Sequence, residues 1–210
     1  MQGVIIINIF YNEKDKAFKL RANNTDYMMK VCEEGYLAHV YYGNKVPDED
    51  LTYLLRLDES PFTPATNDRD RASFMDTLPF EYPCFGVGDY RESAFKIMDA
   101  NGMSTCDLRY VSHKMYEGKP KLEGLPATFA TEESGCSTLE ITMYDKYADI
   151  EVVLIYTAFD KLDVITRSAV ITNKGEKPFK ITRALSACVD FDTDKMDMIT
   201  LNGSWARAVS

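Results

Sequence analysis

Imidazole is scarce in this sequence. His39 and His113 are the only histidines in 210 residues, and they lie far apart. A zinc centre built from nitrogen and thiolate ligands at set spacings has little to draw on, and no metal or other cofactor is expected. The five cysteines, Cys32, Cys84, Cys106, Cys136 and Cys188, include no C-x-x-C pair. An odd, unclustered set points to reduced thiols rather than a disulfide framework. Long apolar runs are missing too, since no stretch approaches the roughly 20 residues of a membrane-spanning helix. From Met1 to Glu13 a short apolar run has no basic residue ahead of it and an acidic turn behind it. That is not the form of a secretory signal. The stretch reads as a buried first strand, and the sequence predicts a cytoplasmic protein of bacterial type.

Positive charge is in deficit: 24 basic residues face 33 acidic ones, for a net charge of −9. Such a chain is repelled by phosphate backbones and anionic lipid, and no Lys/Arg stripe offsets this. Nucleic acid and membrane surfaces are therefore not expected partners, whereas a neutral sugar is compatible. No low-complexity tract appears, and 45% hydrophobic with 27% charged residues is a globular composition. The length suits one domain, or one large β domain cut short. It allows roughly 70% of the unfolded surface to be buried.

What the sequence does have is period two. Leu139, Ile141 and Met143 alternate with Glu140, Thr142 and Tyr144. Ile150, Val152, Leu154 and Tyr156 alternate with Glu151, Val153, Ile155 and Thr157. Residues 164–172 and 179–183 are rich in β-branched side chains. These are strand patterns, because a helix would repeat its apolar positions at three and four. Turn signals fall between them. Asn101-Gly102 predicts a type I′ hairpin turn. Asn173-Lys174-Gly175-Glu176 predicts another, with Pro178 opening the next strand. Glu33-Glu34-Gly35 and Glu117-Gly118 mark two more. From Phe95 onward strands recur about every 8–12 residues, the spacing of a sandwich or barrel.

One short helix is predicted after Pro47, with acids at its start and Leu51, Leu54 and Leu55 as its apolar face. An irregular stretch from about Asp58 to Gly88 follows, with Pro61, Pro64, Pro79, Pro83 and the charge run Asp68-Arg69-Asp70-Arg71. Structureless stretches of this length are usually functional or partner-binding. Met198-Ile199-Thr200-Leu201 and Trp205-Ala206 read as strand starts with no closing element. A sheet ending there would leave an open edge, so the chain reads as a fragment.

Several blocks then occur in order along nearly the whole chain: Gly35-Tyr36-Leu37-Ala38-His39-Val40-Tyr41-Tyr42-Gly43; Asp76-Thr77-Leu78-Pro79 with Glu81-Tyr82-Pro83 and Gly88-Asp89-Tyr90-Arg91; Thr105 to Tyr110 running on to Gly118 through Thr128; Asp163 to Ser168 with Arg183 to Ala187 and Val189-Asp190-Phe191; and Gly203-Ser204-Trp205-Ala206-Arg207. Together they resemble glycoside hydrolase family 36. The resemblance implies an all-β fold, a two-sheet β-supersandwich of the galactose-mutarotase type, here incomplete. On this reading residues 1–210 are part of the N-terminal domain of an α-galactosidase. In intact family members a (β/α)8 barrel follows, and terminal α-galactose is removed from melibiose- and raffinose-type sugars with retention. Retention needs two carboxylates about 5–5.5 Å apart. In the family both are barrel aspartates, so no catalytic residue is assigned to this chain.

The resemblance also implies a homotetramer, in which a long N-terminal loop reaches the active site of a neighbouring subunit. The implied partners are an α-galactoside oligosaccharide, the protein's own barrel and further copies of itself. The matching substrate-facing positions are Asp58 and Arg71. The chain is one residue longer than the family spacing around Glu59-Ser60-Pro61-Phe62, which shifts the reach of Asp58. Asp76, Asp89 and Arg91 are expected to brace the loop. Read as residues alone, Asp58 and Arg71 also fit a solvated charge run. His39 fits a satisfied structural histidine. Arg109 and Arg167 fit cross-strand pairing with an acid. Trp205 fits a core position, and Asp107 and Asp190 have nothing to mark them as a catalytic pair. A second reading makes the chain a free-standing sugar-binding module, with Tyr41, Tyr42, Tyr82 and Tyr90 as stacking faces. A third makes it a purely structural fragment.

Overall fold

The computed structural model describes residues 3–6, 8–57, 75–86, 89–124, 128–189, 191 and 193–200. Among the described residues, alternating side chains and tight turns give eleven strands. The first five are β1 (Gly3–Ile6), β2 (Ile9–Asn12), β3 (Ala17–Ala22), β4 (Thr25–Val31) and β5 (Leu37–Asn44). They form one antiparallel sheet in chain order. The remainder are β6 (Phe95–Asp99), β7 (Arg109–Glu117), β8 (Cys136–Asp145), β9 (Ile150–Phe159), β10 (Ile165–Asn173) and β11 (Phe179–Ala184). Strands β7 to β10 form a second sheet in the order β10-β9-β8-β7, and β6 pairs with β11 in a separate ribbon.

The period-two reading holds in the second sheet. Leu139, Ile141, Ile150, Val152 and Leu154 are fully buried, with Met143 and Tyr156 nearly so. Three of the β9 residues face apolar β8 partners, Ile141 opposite Leu154, Met143 opposite Val152 and Leu139 opposite Tyr156, while Ile150 faces Asp145. Against them lie Ile9, Phe18, Leu20 and Met29 of the first sheet, with β3 over β9 and β2 over β8. Burying such side chains is worth roughly 1.5–3 kcal/mol each, and this interior is what joins the two sheets.

Several local expectations are corrected. The N-terminal stretch is not one strand but a hairpin, with Ile6 opposite Ile9. The helix after Pro47 shrinks to a single 3-10 turn, Thr52–Leu54. Its three leucines offer only one turn of apolar face, too little to propagate a helix. Leu51 and Leu55 are buried, but Leu54 is exposed. At Asn101-Gly102 a turn does form, with Gly102 at positive φ, but Asn101 does not share it, so the turn is not type I′. Instead the Asp99 carboxylate accepts from the amides of Asn101 and Met103. No hairpin follows, because β6 takes β11 as its partner, 80 residues on by register Phe179 to Asp99. Residues 198–200 form no strand, and Trp205 lies outside the described residues.

A second apolar layer covers the outer face of β4 and β5. Met28, Tyr36, Ala38 and Val40 project there and meet Leu51 and Leu55 from one side and Met75, Leu78 and Phe80 from the other. The residues on either side of the 58–74 segment are therefore anchored on one patch of sheet.

Candidate functional site

Asp58 and Arg71 lie outside the described residues, but the two roots of their segment do not. At the C-terminal root, residues 79–81 run beside β5 as a short extra strand. The His39 amide donates to the Pro79 carbonyl at 2.7 Å and the Glu81 amide to the Leu37 carbonyl at 3.0 Å. Tyr36 Oη approaches Met75 Sδ at 3.2 Å. Asp76 sits half-buried in the turn leading to Leu78.

Asp89 and Arg91 meet at this root. Arg91 donates from Nε to Asp89 Oδ1 at 2.7 Å, and its backbone amide donates to the same oxygen at 3.1 Å. Its Nη2 donates to the Leu78 carbonyl, and the guanidinium lies over the Phe80 ring, 5.5 Å from its centre. One arginine thus ties residues 89–91 to the chain that leaves the 58–74 segment.

Beneath it lies a closed polar cluster centred on Glu81, which is fully buried. Its Oε1 accepts from Tyr27 at 2.8 Å, from Tyr156 at 2.7 Å and from Arg167 Nη1 at 2.8 Å. Its Oε2 lies 3.3 Å from His39 Nδ1. Arg167 Nη2 also donates to the Glu81 carbonyl at 2.7 Å, and Nη1 to the Cys188 carbonyl at 3.2 Å. Burial, then the Glu81 carboxylate, pushes the Tyr27 and Tyr156 phenols well above their usual range. Both stay protonated and act as donors. Burial opposes charge on Arg167, but its acidic surroundings, with the Glu81 carboxylate in direct contact, raise the guanidinium above its usual range. With Glu81, Tyr156, Tyr27 and His39 all shut away from solvent, no substrate can approach. The cluster is a clamp between β4, β9, β10 and the 79–81 strand, not a reaction centre.

Sequence reasoning missed the clamp. A lone acid in Leu78-Pro79-Phe80-Glu81-Tyr82 was the one available signal, because a carboxylate among apolar residues must find partners if buried. His39 is a satisfied histidine within it. For the two strand arginines the expected cross-strand acid is replaced. Arg167 faces Tyr156 across β9 and takes its acid from the 79–81 strand. Arg109 faces Tyr144 and instead grips Asp107 with two bonds, 2.7 and 3.0 Å. That pairing leaves Asp107 a structural acid, while Asp190 lies outside the described residues. Tyr82 cannot serve as a sugar platform, since it is buried, donates to the Leu185 carbonyl at 2.9 Å, and has its phenol pushed up to about 12 by burial. Tyr42 and Tyr90 do present open faces.

Comparison with known proteins fits this geometry to a family. The model for the glycosyl hydrolase family 36 N-terminal domain matches residues 35–209. The chain belongs to family 36. Among its curated relatives, α-galactosidase AgaA of Geobacillus stearothermophilus is 45% identical over 202 residues, covering 96% of this chain but 28% of that protein. The bifunctional α-galactosidase/sucrose kinase AgaSK of Mediterraneibacter gnavus is 39% identical over 200 residues, 94% of this chain and 21% of that protein. A solved structure of a family 36 AgaA variant in complex with raffinose superposes with a TM-score of 0.82 at 44% identity, over 90% of this chain and 26% of that one. The all-β sandwich expected of the family is the fold observed. The chain spans less than a third of the length of these relatives.

Proposed function

We propose that this chain is the N-terminal part of a retaining α-galactosidase acting on melibiose- and raffinose-type sugars, and that it shapes the approach to the active site rather than performing the chemistry. The observation that carries this reading is the anchoring of both roots of the 58–74 segment on one patch of β4 and β5, with the Arg91 and Glu81 contacts fixing the second root. A segment held so firmly at its base is suited to present Asp58 and Arg71 to a galactoside. An aspartate accepts from sugar hydroxyls and an arginine offers a fork of donors. The reading includes assembly into a homo-oligomer, with the segment reaching a neighbouring subunit's site. It also includes residence in a cytoplasm, which suits five cysteines that form no disulfide.

The test is hydrolysis of p-nitrophenyl α-galactoside by the 210-residue chain alone and after addition of a family 36 catalytic barrel. No hydrolysis by the chain alone and a gain on mixing are expected. In the mixed sample, Asp58→Ala and Arg71→Ala should each lower kcat/KM by about tenfold or more, as loss of charged hydrogen bonds to substrate does. Hydrolysis by the chain alone, or full activity in both variants, would overturn the proposal.

A further inference from the structure

Two of the five free cysteines meet, although they stand 22 positions apart in the chain. Cys84 follows the 79–81 strand, and Cys106 leads into β7. The Cys84 thiol donates to the Cys106 carbonyl at 2.9 Å, and the Cys106 amide donates to the Phe85 carbonyl at 2.9 Å. Gly86 allows the close approach: it takes φ +110, and a Cβ built on it would fall 2.9 Å from Thr105 Cα. On the other side of Cys106, the Asp107 amide donates to Asp145 Oδ2 at 2.7 Å, which ties the same stretch to the end of β8. The Cys106 side chain is fully buried, and its thiol hydrogen-bonds with that of Cys84. Both backbones are thus held from several directions with the two sulfurs in contact, which is where disulfide formation starts.

We infer that Cys84 and Cys106 are a reversible redox pair, joined as a disulfide by a hydroperoxide and returned to two thiols by a dithiol reductant. The inference does not depend on the α-galactosidase reading. Contact with Cys84, then burial, pushes the Cys106 thiol up and keeps it protonated, so Cys84 takes the first step. Its sulfur attacks one peroxide oxygen, giving a sulfenic acid and, from hydrogen peroxide, one water. The Cys106 sulfur then attacks the Cys84 sulfur, and the sulfenic oxygen leaves with the Cys106 proton as a second water. Two thiols are oxidised to one disulfide, and the peroxide is reduced to two waters. The new bond encloses Arg91 and all of β6, and fastens the chain that follows the 79–81 strand to the chain that enters β7.

The test is peptide mapping of the 210-residue chain, folded and in urea, after hydrogen peroxide treatment and blocking of the remaining thiols. Trypsin cuts after Arg71, Arg91, Lys96 and Arg109, which puts Cys84 and Cys106 on separate peptides. From the folded chain one linked pair of these peptides is expected, lost on dithiothreitol and absent from Cys84→Ser. In urea the five cysteines should give mixed pairs. The disulfide should also raise the urea midpoint, lowering the unfolding equilibrium constant by about thirtyfold or more, because it restricts the unfolded chain. Dithiothreitol should reverse that shift, and Cys84→Ser should show none. Recovery of both cysteines from the oxidised folded chain as unlinked thiols or sulfinic acids would overturn the pair. Links from Cys84 to other cysteines in equal yield, or a Cys84–Cys106 link formed only in urea, would do the same.

Discussion

The interior between the two sheets and the outer layer on β4 and β5 are built by different means. In the interior, Ile141, Leu154 and their neighbours meet across regular strands, and each contact is repeated by the next pair along. In the outer layer, residues 45–57, 75–86 and 89–91 have little regular structure, and single polar contacts add to a small apolar patch in holding them in place. Arg91 fixes Leu78, Glu81 ties residues 79–81 to Arg167 and to Tyr27 and Tyr156 of the interior, and the Lys19, Arg21 and Asp26 side chains hold the backbone of Val46 and Pro47. The difference teaches where this fold is tolerant. An interior of many equivalent apolar contacts loses stability in proportion to the atoms removed. A layer held by a few buried polar groups loses far more at one position than at the next.

The strongest way to break the comparison is Glu81→Ala. It leaves the Arg167 charge and two phenols without their acceptor, and should cost about 3–5 kcal/mol in urea unfolding. Adding Arg167→Met to it should recover part of that loss, since the uncompensated charge is then gone. A loss below that of an ordinary core truncation would mean the clamp is not what joins the layers. Next comes Leu154→Ala in the interior, expected to cost about 3 kcal/mol and to lower the stability of both sheets together. Arg91→Ala should cost about 2 kcal/mol. Its effect should be local, with faster hydrogen exchange at the His39 and Glu81 amides and unchanged exchange at Leu154. Faster exchange throughout would show that the outer layer and the interior unfold as one.

The smallest effect concerns Asp48, whose carboxyl is lowered to about 2 by hydrogen bonds from Arg21 and Lys19. Its folded value lies below the unfolded one, so the contribution is present above about pH 4 and is lost as pH falls through about 2. The side chain is 58% exposed, so screening keeps this under about 1 kcal/mol. Urea midpoints of wild type and Asp48→Asn measured across that window should converge at the acid end. A constant gap would show that Asp48 acts by packing alone.

The candidate site was legible only in part. Asp89 and Arg91 stand two residues apart, so a sequence can suggest that they interact, and the structure joins them at 2.7 Å. The clamp was not legible, because Glu81 draws Tyr27 from 54 residues before it, Tyr156 from 75 after and Arg167 from 86 after. Nor was the ring contact between Tyr42 of β5 and Phe191, which are separated by most of the chain. Asp58 and Arg71 rest on family resemblance and on the anchoring of their roots.

By itself the sequence determined the interior. Alternation fixes which face of a strand is apolar, and a one-residue slip would turn Ile150, Val152 and Leu154 to solvent, so β8 and β9 have one register. It determined the turns as well, wherever a residue such as Gly102 or Gly118 must take positive φ. Only the tertiary structure decided which strands pair, and so put β11 on β6 instead of on the preceding β10. It also decided where the buried charges go. Apolar periodicity is a property of neighbours along the chain, while a buried carboxylate is satisfied by whichever donors the completed fold brings within three ångströms of it.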